Sequence, residues 1–169
     1  MKKAIFAGTF DPFTLGHKDI LIQGLKVFDK ITIAIAENTG RQSVAPIEDR
    51  IAIIDKSLRT MNMPFFRDAK LEVEFLPFSG LLTDFLKSKK VNVLMRGIRN
   101  FSDFTHEQEL SRVYLELYKK TTPVYFMSSP ETSHISATVV RELVNLDADI
   151  SGFVEKAAIP LIQKAYSKK

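Results

Sequence analysis

Gly8-Thr9-Phe10-Asp11-Pro12-Phe13-Thr14-Leu15-Gly16-His17 separates an apolar run, Ala4 to Ala7, from an amphipathic one, Asp19 to Phe28. The order reads as strand, tight loop, helix. Gly8 and Gly16 bracket a loop whose backbone turns sharply or lies close to a ligand, and Pro12 stiffens the part between them. His17 then stands at the mouth of the helix. A helix N-terminus presents unpaired N–H groups and roughly half a positive charge, so an anion placed there is held before any side chain takes part. A phosphate site is the first expectation. The competing reading is structural, because Gly, Thr and Asp also serve as turn and cap residues and a lone His is often surface.

Working outward, short β-type runs recur between longer helical patterns: Ala4 to Ala7, Ile31 to Ala36, Leu71 to Leu76, Val91 to Met95 and Val124 to Met127. Helical patterns cover His17 to Phe28, Pro46 to Met61, Gly80 to Lys89, Ser102 to Tyr118 and Ser136 to Leu146, and a last helix follows Gly152, opened late or kinked by Pro160. Strands alternating with helices predict an α/β, Rossmann-like fold: a five-stranded parallel sheet with right-handed crossovers and helices on both faces. Residues 1–169 read as a single domain, with no repeat, low-complexity tract or linker.

The chain has 169 residues, 45% of them apolar, enough to bury about two thirds of its unfolded surface. With no cysteine, disulfides, thiolate metal sites and a cysteine nucleophile are excluded, and a cytoplasmic setting is expected. Lys2 and Lys3 before an apolar run imitate a signal peptide, but Asp11 and Pro12 arrive too early, and no run approaches the roughly 18 apolar residues of a membrane span. The net charge of +4 collects largely on terminal lysines. No basic stripe interleaved with aromatics marks a nucleic-acid partner, so small anionic substrates fit better.

In such a sheet ligands collect beyond the carboxyl ends of the strands, where the strand order reverses. Basic and hydroxyl residues dominate the positions expected there: Gly8-Thr9, Glu37 to Arg41, Phe78-Ser79-Gly80, Arg96-Gly97-Ile98-Arg99 and Ser128 to Ser136. Guanidiniums leaving the fourth strand suit bidentate capture of phosphate oxygens, unless they are consumed by Asp103 and Glu107 nearby. Ile135-Ser136-Ala137-Thr138 opens the next helix with hydroxyls and free N–H donors, suited to capping and to phosphate alike.

Thr14-x-Gly16-His17 resembles the T/HxGH signature of the nucleotidylyltransferase superfamily. Together with Arg96-Gly97-Ile98-Arg99, Asp103-Phe104, Glu107, Ile135-Ser136-x-Thr138 and Glu142, the chain resembles, nearly end to end, the bacterial-type phosphopantetheine adenylyltransferase family. The resemblance implies transfer of the adenylyl group of ATP to 4'-phosphopantetheine, with Mg2+ as cofactor, in coenzyme A biosynthesis. It gives catalytic roles to His17 and Thr9, His17 donating a hydrogen bond to the α-phosphate and Thr9 aligning the incoming phosphate. It assigns ATP to Thr9, Phe10, His17, Gly97, Ile98, Arg99, Glu107 and the run Thr132, Ser133, His134, Ile135, Ser136, Ala137 and Thr138. Phosphopantetheine falls to Thr9, Arg41, Leu82 and Arg96. Asp11 is expected to fix the loop, and magnesium to be held by the triphosphate rather than by a protein cluster. A homohexamer and feedback by coenzyme A are further family properties.

Several positions depart from the family pattern: Arg41 stands for the usual Lys, Ala137 for a hydroxyl residue, Thr132 for a frequent aromatic, His106 for a frequent Tyr and Ala7 for Pro. Two rivals remain at this level: another nucleotidylyltransferase with a different acceptor, and a non-catalytic nucleotide or RNA binder. Neither a Gly-x-x-x-x-Gly-Lys-Ser/Thr loop nor a Gly-x-Gly-x-x-Gly fingerprint is present.

Overall fold

In the computed structural model, which describes residues 1–37, 43–60 and 71–167, strands and helices alternate along the chain. Strands β1 (Lys3–Gly8), β2 (Lys30–Ala36), β3 (Glu72–Phe78), β4 (Val93–Ile98) and β5 (Thr122–Met127) form one parallel sheet in the order β3-β2-β1-β4-β5. The helices are α1 (Leu15–Leu25), α2 (Ile47–Arg59), α3 (Leu82–Lys89), α4 (Phe101–Leu117), α5 (Ala137–Asn145) and α6 (Ile159–Tyr166). The expected α/β, Rossmann-like sheet is the one that forms. Among the described residues no helix is long and apolar enough to cross a membrane.

Side chains alternate across a strand, and that period of two divides the core between the faces. Phe6, Ile31, Ile33, Ile35 and Met95 pack with Ile20 and Leu21 of α1, Ile53 and Ile54 of α2, Val140 of α5 and Ile162 of α6. Ile5, Ala7, Ala34 and Leu94 face the other way, against Leu86 of α3 and Tyr114 of α4. Each fully buried Ile or Leu contributes about 1.5–3 kcal/mol gross. Residue 96 shares the parity of Leu94, so Arg96 belongs to the α3/α4 face; Gly97 belongs to the α1 face. There a Cβ on Gly97 would lie 2.8 Å from Ile20 Cγ1, and one on Gly24 2.5 Å from Met95 Sδ. Both missing side chains let α1 lie close on β4.

Pro77 and Pro123 occupy β3 and β5, the two outer strands, where a missing N–H is tolerated. The inward bonds fall on their even-numbered neighbours: Thr122 N–H donates to Asn92 O, and Glu72 N–H to Asp29 O. Neither proline therefore interrupts the ladder.

The boundaries correct three expectations. β4 continues through Ile98, so Arg96, Gly97 and Ile98 belong to the strand instead of leaving it. α1 begins at Leu15, with Thr14 as its N-cap, which places His17 inside the first turn. α3 begins at Leu82 because Gly80 takes a left-handed φ of 78° in the turn before it. Pro160 opens α6 and does not kink it, its ring suiting a first helical turn that needs no N–H there.

Candidate active site

Beyond the carboxyl ends of β1 and β4, where the strand order reverses, lies an open cavity of about 910 Å³. Of the residues singled out in the sequence, Thr9, Phe10, His17, Leu82, Arg96, Gly97, Arg99, Glu107, Ile135, Ser136, Ala137 and Thr138 line it together. Ile98 does not. It is 1% exposed, packed into the sheet on the strand position between two cavity residues. Thr132, Ser133 and His134 also lie off the cavity wall, in the turn that follows β5: Ser133 Oγ donates to Pro130 O, and His134 packs edge-on against Phe153. Arg41 lies outside the described residues.

His17 is shaped by its helix. Thr14 N–H donates to Nδ1 at 3.0 Å while the Thr14 hydroxyl caps the His17 N–H, a reciprocal capping box. An N–H can only donate, so Nδ1 carries no proton and Nε2–H is the donor left to the cavity. Phe13 stacks on the ring at 5.6 Å and Phe10 meets it edge-on at 5.0 Å. Burial, then the charges of Arg99 and Arg96, push the imidazole down to about 4. The side chain is a neutral hydrogen-bond donor at pH 7.

The same capping consumes donors that the sequence suggested for an anion. His17 N–H goes to Thr14 and Leu15 N–H to Phe153 O at 2.8 Å. Those two N–H groups of α1 are therefore not available to a ligand. At α5 the Ser136 hydroxyl accepts from Val139 N–H and acts as the cap.

The suspected pairing of the arginines is real. Arg96 donates from Nε and Nη2 to the two oxygens of Glu107, and from Nη1 to Ala7 O. Arg99 donates to Asp103 from Nε at 2.9 Å and Nη2 at 3.3 Å. Pairing does not remove either from the cavity: a guanidinium carries five N–H groups, so each keeps donors for a ligand oxygen while its plane is held fixed. Burial works against the charge of Arg96, but the bonds and charge of Glu107 outweigh it and keep the group protonated. Glu107 lines the cavity with its carboxylate committed to Arg96.

Asp11 fixes the loop as expected. It is buried, and it accepts from Val44 N–H at 2.8 Å, Ala45 N–H at 3.1 Å and the Tyr166 hydroxyl at 2.6 Å. Beside it, Phe10 adopts a left-handed φ of 47°, held there by a ring that fills the space where a Gly8 side chain would be.

Four supporting residues escaped the sequence reading. Arg141 donates to Asp11 O and Thr138 Oγ1 and lines the cavity; it lies one turn beyond Thr138, a spacing that could have revealed it. Arg50, 2% exposed, donates from Nη1 to Thr9 O and Ala36 O, both at 2.8 Å, tying the ends of β1 and β2. Asp19 accepts from Ser129 N–H, Ser129 Oγ and Thr132 Oγ1, so α1 anchors the turn after β5. Tyr166 is the fourth. Nothing local marks Arg50, Asp19 or Tyr166, because their partners are distant in sequence. Among the described residues no three His, Asp or Glu side chains gather into a metal site.

A family model described as cytidylyltransferase-like matches residues 5–143. The chain is 34% identical, over all of its length and 97% of the relative's, to a phosphopantetheine adenylyltransferase of Geotalea daltonii. It is 35% identical to one of Clostridium beijerinckii, over 94% of each chain. In fold it is similar to a Vibrio parahaemolyticus protein assigned as a nicotinate-nucleotide adenylyltransferase, with a TM-score of 0.70 at 20% identity over 96% of this chain and 99% of that one.

Proposed function

The chain belongs to the phosphopantetheine adenylyltransferases of the cytidylyltransferase-like family, and from that membership we propose how its cavity divides the work. The reaction transfers the adenylyl group of ATP to 4'-phosphopantetheine, yielding dephospho-coenzyme A and pyrophosphate. An acceptor phosphate oxygen forms a bond to the α-phosphorus as the bond from that phosphorus to the bridging oxygen of the β-phosphate breaks. The attacking oxygen is already anionic at neutral pH, so no general base is required. Alignment and charge stabilisation are sufficient tasks for the protein.

The observation that carries this assignment is the tautomer of His17. A neutral ring with Nδ1 occupied by Thr14 has one proton to offer, on Nε2, and it donates that bond to a non-bridging α-phosphate oxygen as charge builds there. Arg99, the Phe10 and Gly97 backbone and the α5 start from Ile135 to Thr138 hold ATP on the β4 side, with Glu107 keeping Arg96 in register. Thr9 and Arg96 receive the acceptor phosphate, and Leu82 the pantetheine arm, on the α3/α4 side. Arg41 would add a second cation to that end.

The cavity carboxylates fit a magnesium ion poorly as a resident ligand set: Asp11, Asp103 and Glu107 are each engaged by protein donors. Magnesium enters with the triphosphate, as MgATP. The homohexamer is taken from the family resemblance, and α4 offers exposed apolar residues, among them Phe101, Phe104 and Val113, for contact between copies. Coenzyme A shares both ends of the product and would compete for the same cavity as a feedback inhibitor. A cysteine-free chain supports the cytoplasm as its location.

Pyrophosphate release tests the assignment. Incubation with ATP, magnesium and 4'-phosphopantetheine gives turnover, and nicotinamide mononucleotide in its place gives none; the reverse result moves the chain to a different acceptor.

A further inference from the structure

The C-terminal segment grips the reaction loop at three points. Phe153 O accepts Leu15 N–H at 2.8 Å, Glu155 pairs with Lys18, and the Tyr166 hydroxyl donates to Asp11 Oδ1 at 2.6 Å. The last of these differs from the others in what lies on its far side. Asp11 Oδ1 also accepts Ala45 N–H, and Oδ2 accepts Val44 N–H, so one buried carboxylate joins the reaction loop, the segment entering α2 and the end of α6. Tyr166 and Asp11 are 4% and 5% exposed, which leaves water little part in the arrangement.

We propose that Tyr166 is a positioning residue for the acceptor: through Asp11 it sets the backbone of Val44 and Ala45, and Val44 lines the cavity. Ser43 and Val44 line that cavity together with Leu82 and Thr9, the side assigned above to 4'-phosphopantetheine, and the proposal rests on that assignment for its substrate. Asp11 is tied to the start of α5 through its main-chain oxygen, which accepts from Arg141, whereas its carboxylate accepts from Val44, Ala45 and Tyr166; loss of the Tyr166 hydroxyl therefore acts on the second set. A buried anion needs its full set of donors, and removing one weakens the grip on the remaining two. Burial, together with the bond to Asp11 and its charge, raises the Tyr166 hydroxyl far above its ordinary value, so it remains a donor at every working pH.

Tyr166→Phe removes the hydroxyl and keeps the ring in the core. The KM for 4'-phosphopantetheine is expected to rise about five- to tenfold, with kcat and the KM for ATP changed less than about twofold. Amide hydrogen exchange at Val44 and Ala45 is expected to quicken about tenfold or more. Asp11→Asn should raise the KM for 4'-phosphopantetheine at least as much, and the double variant should be no worse than Asp11→Asn alone if Tyr166 acts through that carboxylate. A lower melting temperature with both KM values unchanged, or both raised equally, overturns the proposal, as does additivity in the double variant. The exchange measurement needs no substrate. An unaltered chain that fails to use 4'-phosphopantetheine therefore defeats the acceptor assignment, whereas unchanged exchange at Val44 and Ala45 defeats the role of Tyr166.

Discussion

At His17 the chemistry follows from which nitrogen is already used. His17→Ala should lower kcat about a hundredfold or more with ATP binding nearly intact, as measured by steady-state kinetics beside equilibrium titration of ATP, because its bond strengthens as charge develops. A ring held down to about 4 stays neutral from roughly pH 5 upward, so the rate should show no His17 step in that range. Stability should show one. The unfolded imidazole, near 6.5, binds its proton more readily than the folded one, so the folded state loses stability as pH falls from 6.5 to about 4, on the order of 3 kcal/mol in all. Urea unfolding at pH 7 and pH 4.5, compared with His17→Gln, isolates that contribution. The histidine itself was legible from Thr14-x-Gly16-His17. Its protonation was not, because the ring is buried, and Arg99 and Arg96 come within range, only once the sheet and its helices have assembled. Likewise the arginine motif and its pairing with Asp103 and Glu107 could be raised from the sequence, while which arginine takes Glu107 required the strand parity that puts residue 96 under α4. Glu107→Gln should raise the acceptor KM nearly as much as Arg96→Ala, in the same kinetic assay, because it frees a guanidinium that must be held flat.

Elements carry the site only as well as they pack. Gly97→Ala places a methyl 2.8 Å from Ile20 Cγ1, so α1 must shift on β4 or Ile20 must leave its rotamer, and thermal unfolding should register a loss of about 1–3 kcal/mol. On an Ile20→Ala background, which lacks Cγ1, most of that cost should disappear. The family resemblance gives Gly97 to ATP; the structure adds that its bare face is turned to a helix. Asp19→Ala should raise the ATP KM about three- to tenfold with the acceptor KM unchanged, since three bonds from Asp19 hold the turn after β5 that precedes the α5 start. Strand and helix order was readable from hydrophobic periodicity because each element buries a regular stripe. The ends were less so: β4 keeps pairing through Gly97 and Ile98 with β5, a gain from the neighbouring strand that no local pattern announces.

On the scale of the whole molecule, the fold was nearly transparent, since five apolar runs separated by amphipathic ones admit few arrangements besides a wound parallel sheet. α4 buries Glu107 and leaves Val113 half exposed, so Val113→Glu should dissociate the proposed hexamer in sedimentation velocity. The prolines of β3 and β5 bear on the same question from another direction. Each points its missing donor away from its partner strand, so both rims of the molecule are blunted against a foreign segment zipping on. A partly opened chain is thereby denied the easiest template for fibril growth.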